Sequence, residues 1–169
     1  MRFMLRPARE SDVPLIRELA ARIWTACYAT LLTPEQRDYM LRWMYAPQQL
    51  TGQIRRGVHF HIVEVQGRPV GYLAWEVLQG GITAHLHKLY LEPAVQGCGL
   101  GQQLLREVMQ AAASGGCRHL ELRVNRGNVR ALRAYHRAGF ATVEAVVTDI
   151  GGGFVMDDYI LRTPLSPTA

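Results

Sequence analysis

Three glycines at alternate positions, Gly97, Gly99 and Gly101, run straight into a leucine-periodic segment in EPAVQGCGLGQQLL, residues 92–105. A helix start leaves backbone N–H groups without intrahelical partners and carries the positive end of the helix dipole, so it favours phosphate. Glycine lets the backbone approach a phosphate oxygen with no Cβ in the way. The nucleotide-hydrolysing loop GxxxxGK[ST] is excluded, because no Lys-Ser or Lys-Thr follows. The dinucleotide fingerprint GxGxxG does not fit the spacing either. What remains is a strand, Pro93, then Gln96-x-x-Gly99-x-Gly101, then a helix. Two histidine pairs, His59/His61 and His85/His87, stand at alternate strand positions that can present two imidazoles together. No Cys or carboxylate cluster accompanies them at ligand spacing, so no metal is expected.

The elements that must hold these residues are legible from periodicity. RFMLRPA, residues 2–8, reads as a short strand. Ser11-Asp12 with Pro14 starts a helix carrying Leu15, Ile16, Leu19, Ile23 and Trp24 at helical spacing. Thr33-Pro34-Glu35-Gln36 is a second helix start, with a capping-box glutamine, for a helix to about Tyr45. A short helix follows in Pro47–Arg56. HFHIVEV, RPVGYLAWEVL and ITAHLHKLYL are β-branched and aromatic segments separated by the turns QGRP and QGG, which predicts three consecutive antiparallel strands. Leu100, Leu104, Leu105, Val108, Met109 and Ala112 form a helical stripe ending at Gly115-Gly116. RHLELRV is a strand, Asn128–Ala138 a helix, and ATVEAVVTDI with GFVMDDYILRT a closing strand pair. The order predicts an α+β (mixed α/β) chain, read as a single domain over residues 1–169.

Composition narrows the class. Hydrophobic content of 49% and charged content of 20% suit a soluble globular protein. No apolar run approaches a membrane span, and the N-terminus lacks a signal-peptide core, so a cytoplasmic location is expected. Three widely spaced cysteines, Cys27, Cys98 and Cys117, suit reduced thiols. The net charge of +5 is spread without a Lys/Arg block and suits a small polyanion as well as nucleic acid, so charge alone does not choose. Neither a nucleic-acid nor a membrane partner is expected.

LYLEPAVQGCGLGQQLL resembles the acetyl-CoA motif [QR]xxGx[GA] of the Gcn5-related N-acetyltransferases (GNAT). NRGNVRALRAYHRAGF resembles that family's NxxNxxAxxxYxxxGF segment, and the strand RHLELRV lies between the two. The resemblance covers nearly the whole chain. It implies a central, mostly antiparallel twisted sheet flanked by helices, acetyl-CoA as co-substrate, and transfer of its acetyl group to a primary amine in a ternary complex. The implied cofactor contacts are Gln96, Gly97, Cys98, Gly99, Leu100, Gly101 and Gln102 around the pyrophosphate, with Leu89, Tyr90 and Leu91 along the pantetheine arm. Asn128 and Tyr135 add contacts from the second motif. Gly99 and Gly101 are expected to let the backbone approach. Cys98 departs from the Lys or Arg common there, and a thiol beside a helix start is expected to have a lowered pKa.

The reaction needs a neutral amine, a stabilised oxyanion and a proton for the departing thiolate. The resemblance assigns that last proton to Tyr135. His85 occupies the position of the family's glutamate base, His87 shares its strand face, and Glu76 on the neighbouring strand is the reserve. A backbone N–H near Leu89–Tyr90 would hold the oxyanion. The first helices and the final hairpin wall the acceptor groove in that fold, which points to Trp24, Tyr28, Asp157 and Asp158 as acceptor contacts. Aromatic rings and carboxylates together suit a cationic amine. TDIGGGFVMDDYIL and LHKLYLEP also resemble bacterial polyamine-type acetyltransferases, so a spermidine- or diamine-like acceptor is expected. A protein lysine or N-terminal amine is the enzymatic alternative, and a catalytically silent CoA-binding regulatory module the non-enzymatic one. Homodimers are common in the family.

Overall fold

Residues 2–167 are described by a computed structural model, so the expected 1–169 boundaries extend past the described residues at both ends. The elements are β1 (Phe3–Pro7), α1 (Val13–Cys27), α2 (Pro34–Met44), α3 (Pro47–Arg55), β2 (His59–Val65), β3 (Arg68–Val77) and β4 (Thr83–Leu91). They continue with α4 (Leu100–Ser114), β5 (His119–Asn125), α5 (Val129–Arg137), β6 (Ala141–Gly151) and β7 (Phe154–Pro164). The strands form one seven-stranded sheet in the order β1-β2-β3-β4-β5-β7-β6. β4 pairs parallel with β5, across the crossover through α4. The chain divides into two compact units, one from the start to Trp75 with Lys88–Gly101, the other of Glu76–His87 with Gln102 onward.

In the first unit, β1 pairs antiparallel with β2 and β2 with β3. Helix α1 buries Val13, Ile16, Leu19, Ala20, Ile23 and Trp24, a stripe at the three-to-four spacing expected of one helix face. Its start differs from the expected cap. The Asp12 carboxylate makes no cap bond to α1; it accepts from the Arg6 guanidinium at 3.0 Å and from the Arg9 N–H at 2.8 Å. Those bonds hold the Asp12 carboxyl below its ordinary range, the Arg6 contact being the largest cause. Thr33 does cap α2, accepting from the Gln36 N–H at 3.2 Å.

In the second unit, β5 pairs antiparallel with β7, and β7 with β6. Leu104, Leu105, Val108 and Ala112 of α4 are buried, as are Leu120, Leu122 and Leu161 of the strands. The alternation on β5 leaves Glu121 and Arg123 on the opposite face from Leu120, Leu122 and Val124. Asp157 and Asp158 fall in the middle of β7, away from the glycine turn that joins β6 to it.

Candidate active site

In the first unit, the segment between β4 and α4 has the form a phosphate cradle requires. Gly97 and Gly99 adopt φ of +79° and +85°, a region that L side chains rarely enter. A Cβ built at either would meet nothing within 4 Å, so the backbone there faces open space. Gly101 lies in the first turn of α4, where a Cβ would reach only ordinary contact with Leu91 at 4.0 Å. The conformational demand therefore falls on Gly97 and Gly99. The Gln96 side chain braces the loop from within, donating to the Leu91 carbonyl at 2.7 Å. That bond uses one lone pair of the Leu91 carbonyl, expected to meet the pantetheine arm. Cys98 is exposed, and its thiol donates to the Val95 carbonyl at 3.0 Å, a contact the protonated form makes. Leu100, 1% exposed, anchors the α4 start in the core. The open cradle and the unpaired first turn of a 15-residue helix fit a pyrophosphate.

Beside Leu89, Tyr90 and Leu91 the neighbouring strand narrows. A Cβ at Gly71 of β3 would stand 2.3 Å from the Tyr90 carbonyl oxygen. Only glycine lets β3 and the end of β4 come this close. Tyr90 belongs to an aromatic cluster with Trp24, Tyr28, Tyr45 and Tyr72, and its hydroxyl lies 3.2 Å from that of Tyr28. Trp24 is 1% exposed. Trp24, expected as an acceptor contact, packs inside the cluster against Tyr28, Tyr45 and Tyr90. Tyr28 is only half-buried. The cluster also contains a residue that sequence reasoning missed. Lys88 is 5% exposed, with its ammonium 5.2 Å from the Tyr45 ring and 5.8 Å from that of Phe60. Burial pushes its pKa down to about 8. The available signal was parity: Lys88 continues the buried series Ala84, Leu86 on β4.

In the second unit, the histidine pair is assembled as the strand parity predicted. The His85 and His87 rings lie 4.6 Å apart. His87 Nε2 is 2.7 Å from Glu76 Oε1, and His85 Nδ1 is 3.4 Å from Glu121 Oε1. Burial lowers the His85 pKa, with repulsion from His87 adding to it, so the imidazole is neutral at pH 7 and can accept a proton. Tyr135 is half-buried on α5, its ring set edge-on to Phe140 at 5.7 Å. Asn128 caps that helix through Oδ1, which accepts from the Ala131 N–H at 3.1 Å; its NH₂ group is the part able to meet a ligand. The Gln102 side chain donates one N–H to the Ala134 carbonyl at 2.8 Å. Asp157 is half-exposed and ion-paired with Arg126 at 3.4 Å. Asp158 is 3% exposed, and its Oδ2 has no hydrogen-bond partner. Burial raises its pKa. Among the described residues no group of three or more His, Cys, Asp or Glu side chains could hold a metal ion.

The profile of the acetyltransferase (GNAT) family matches residues 14–140. The chain belongs to this family. Among curated GNAT-type relatives, an uncharacterized N-acetyltransferase of Methanocaldococcus jannaschii is 32% identical over 92 residues, 52% of this chain and 41% of that protein. The spermidine N(1)-acetyltransferase of Thermoplasma acidophilum is 24% identical over 162 residues, 93% of this chain and 97% of that protein. This chain thus spans about two fifths of the first and nearly all of the second. The PaiA N-acetyltransferase from Thermoplasma acidophilum, crystallised with coenzyme A, superimposes with a TM-score of 0.82 at 22% identity over 97% of this chain and 99% of that one. The GNAT fold is therefore shared, and coenzyme A is the ligand with which that neighbour was solved. No helix among the described residues is long and apolar enough to cross a membrane.

Proposed function

We propose that this GNAT member moves the acetyl group of acetyl-CoA to a primary amine of a small di- or polyamine. The loop Gln96–Gln102 holds the donor's pyrophosphate through backbone N–H groups, a fit supported by the open positive-φ backbone at Gly97 and Gly99. Acetyl-CoA supplies an activated acyl carbon. His85 takes a proton from the acceptor's ammonium, which frees the nitrogen lone pair to bond that carbon. As the carbon–sulfur bond breaks, Tyr135 gives its hydroxyl proton to the sulfur, and the second proton that the nitrogen loses on becoming a neutral amide returns to the Tyr135 oxygen through solvent.

The acceptor reading rests on Asp158. Asp158 is buried with one oxygen unpaired, and burial raises its pKa against the opposing charge of Arg123, so a further cation at that oxygen would favour the carboxylate. A second ammonium on the acceptor supplies that charge. The spermidine activity of the Thermoplasma relative agrees in kind. The deciding measurement is CoA thiol release across spermidine, a short diamine, a matched monoamine, a free amino acid and a lysine peptide. Spermidine and the diamine should turn over best, and Asp158→Asn should raise their KM at least tenfold while sparing the monoamine. Turnover confined to the peptide would overturn the acceptor reading, and CoA binding without turnover of any amine would make the chain a silent binding module.

A further inference from the structure

The register of β4, β5 and β7 sets three polar residues side by side. His85 stands opposite Glu121 in the β4–β5 pairing, and Glu121 opposite Arg162 in the β5–β7 pairing. Glu121 Oε1 faces His85 Nδ1 at 3.4 Å, and its other oxygen accepts from the Arg162 guanidinium at 2.9 Å. We propose that Glu121, clamped by Arg162, is a positioning residue for acetyl transfer: it fixes His85 as the Nδ1–H tautomer and so places the basic lone pair on Nε2. This deepens the reading of His85 as base and rests on it.

The chemistry constrains the assignment. An ionised carboxylate only accepts hydrogen bonds, so a neutral imidazole facing it must carry its proton on the facing nitrogen. Glu121 is kept ionised: burial alone would raise its pKa, but the hydrogen bonds from Arg162 and His85 prevail and lower it. The same logic acts on the neighbouring ring, where Glu76 faces His87 Nε2 at 2.7 Å. The groups bearing on His85 are therefore His87 on its own strand, Glu121 and Arg123 on β5, Arg162 behind Glu121 on β7, and Glu76 through His87. A carboxylate behind an imidazole orients the ring and raises its basicity; behind metal-bound imidazoles, removing such a partner costs about 10- to 100-fold, and the same scale is taken for His85.

The test pairs kinetics with ¹⁵N spectra of imidazole-labelled protein. In the wild type, the His85 signals should report a proton on Nδ1 and a bare Nε2. Glu121→Gln should lose that bias, lower kcat 10- to 100-fold with the KM for acetyl-CoA unchanged, and move the acid limb of the kcat–pH profile to lower pH. The last effect follows because the carboxylate that supports the imidazolium is gone. Added to His85→Gln, Glu121→Gln should cost nothing further. Arg162→Lys keeps a cation behind Glu121 and should fall between wild type and Glu121→Gln; it also serves if Glu121→Gln folds poorly. An unchanged His85 tautomer, an unmoved acid limb, or losses that multiply in the double variant would each overturn the positioning role. A wild-type pH profile in His85→Gln would instead remove His85 as base, and the positioning proposal with it. The tautomer measurement, which needs no turnover, separates the two failures.

Discussion

Lys88 is a residue whose burial costs stability. Its ammonium is buried against Tyr45 and Phe60, and no carboxylate among the described residues pairs with it. Its pKa falls from 10.5 to about 8 because burial penalises the charged form. Below pH 8 the amine is charged in both folded and unfolded chains and the whole cost is present. Between about 8 and 10.5 the folded chain releases the proton first, so stability rises with pH, and above 10.5 the cost is gone. A depression of this size corresponds to about 3 kcal/mol. Lys88→Met should therefore stabilise the protein at pH 7 by up to about 3 kcal/mol and flatten the rise between pH 8 and 10. Urea melts at pH 7, 9 and 10 check this, and equal stability of the two proteins at pH 7 would contradict it. At this scale the family resemblance pointed to Tyr135 and Asn128 as candidates, and strand parity placed His85 and His87 on one face. Glu121 and Lys88 were opaque. One takes its meaning from a cross-strand partner 36 residues away, the other from the rings around it.

Among the elements, the end of β4 is the most constrained. It is held against β3 by the close approach at Gly71 and by the Glu92 N–H, which donates to the Val70 carbonyl at 2.8 Å. Gly71→Ala would drive a methyl into the Tyr90 carbonyl and the Leu91 side chain. The expected loss is about 1–3 kcal/mol, the usual cost of overpacking. Faster amide exchange should be concentrated at residues 90–92, and exchange indistinguishable from wild type would show that the strands can separate without penalty. Element types and order followed from periodicity, since burial of one helix face or one strand face leaves its mark on composition. Finer detail did not. Asp12 stands at the start of α1 but turns its carboxylate to Arg6 and Arg9, and the positive φ values fall at Gly97 and Gly99. Competing local hydrogen bonds and backbone angles decide such points, and neither has a sequence period.

For the molecule as a whole, membership of the GNAT family makes a thermodynamic prediction independent of the acceptor. A ligand that binds only the folded chain stabilises it by about 2.7 kcal/mol at one hundred times its Kd. For a chain of this length each kcal/mol shifts Tm by about 2–4 °C, so saturating CoA should raise Tm by roughly 5–10 °C. An unchanged melting temperature in millimolar CoA would refute donor binding. The sequence by itself determined the element order, the glycine-loop donor motif and the candidate proton carriers, because each is written in local spacing. The tertiary structure alone decided which charges are buried and which polar groups meet. Asp158 became a buried carboxyl group with one unpaired oxygen, Lys88 an ammonium buried against two rings, and Glu121 the link between His85 and Arg162. The physical reason is that desolvation and cross-strand hydrogen bonding depend on strand register and packing, which bring together residues that no local pattern connects.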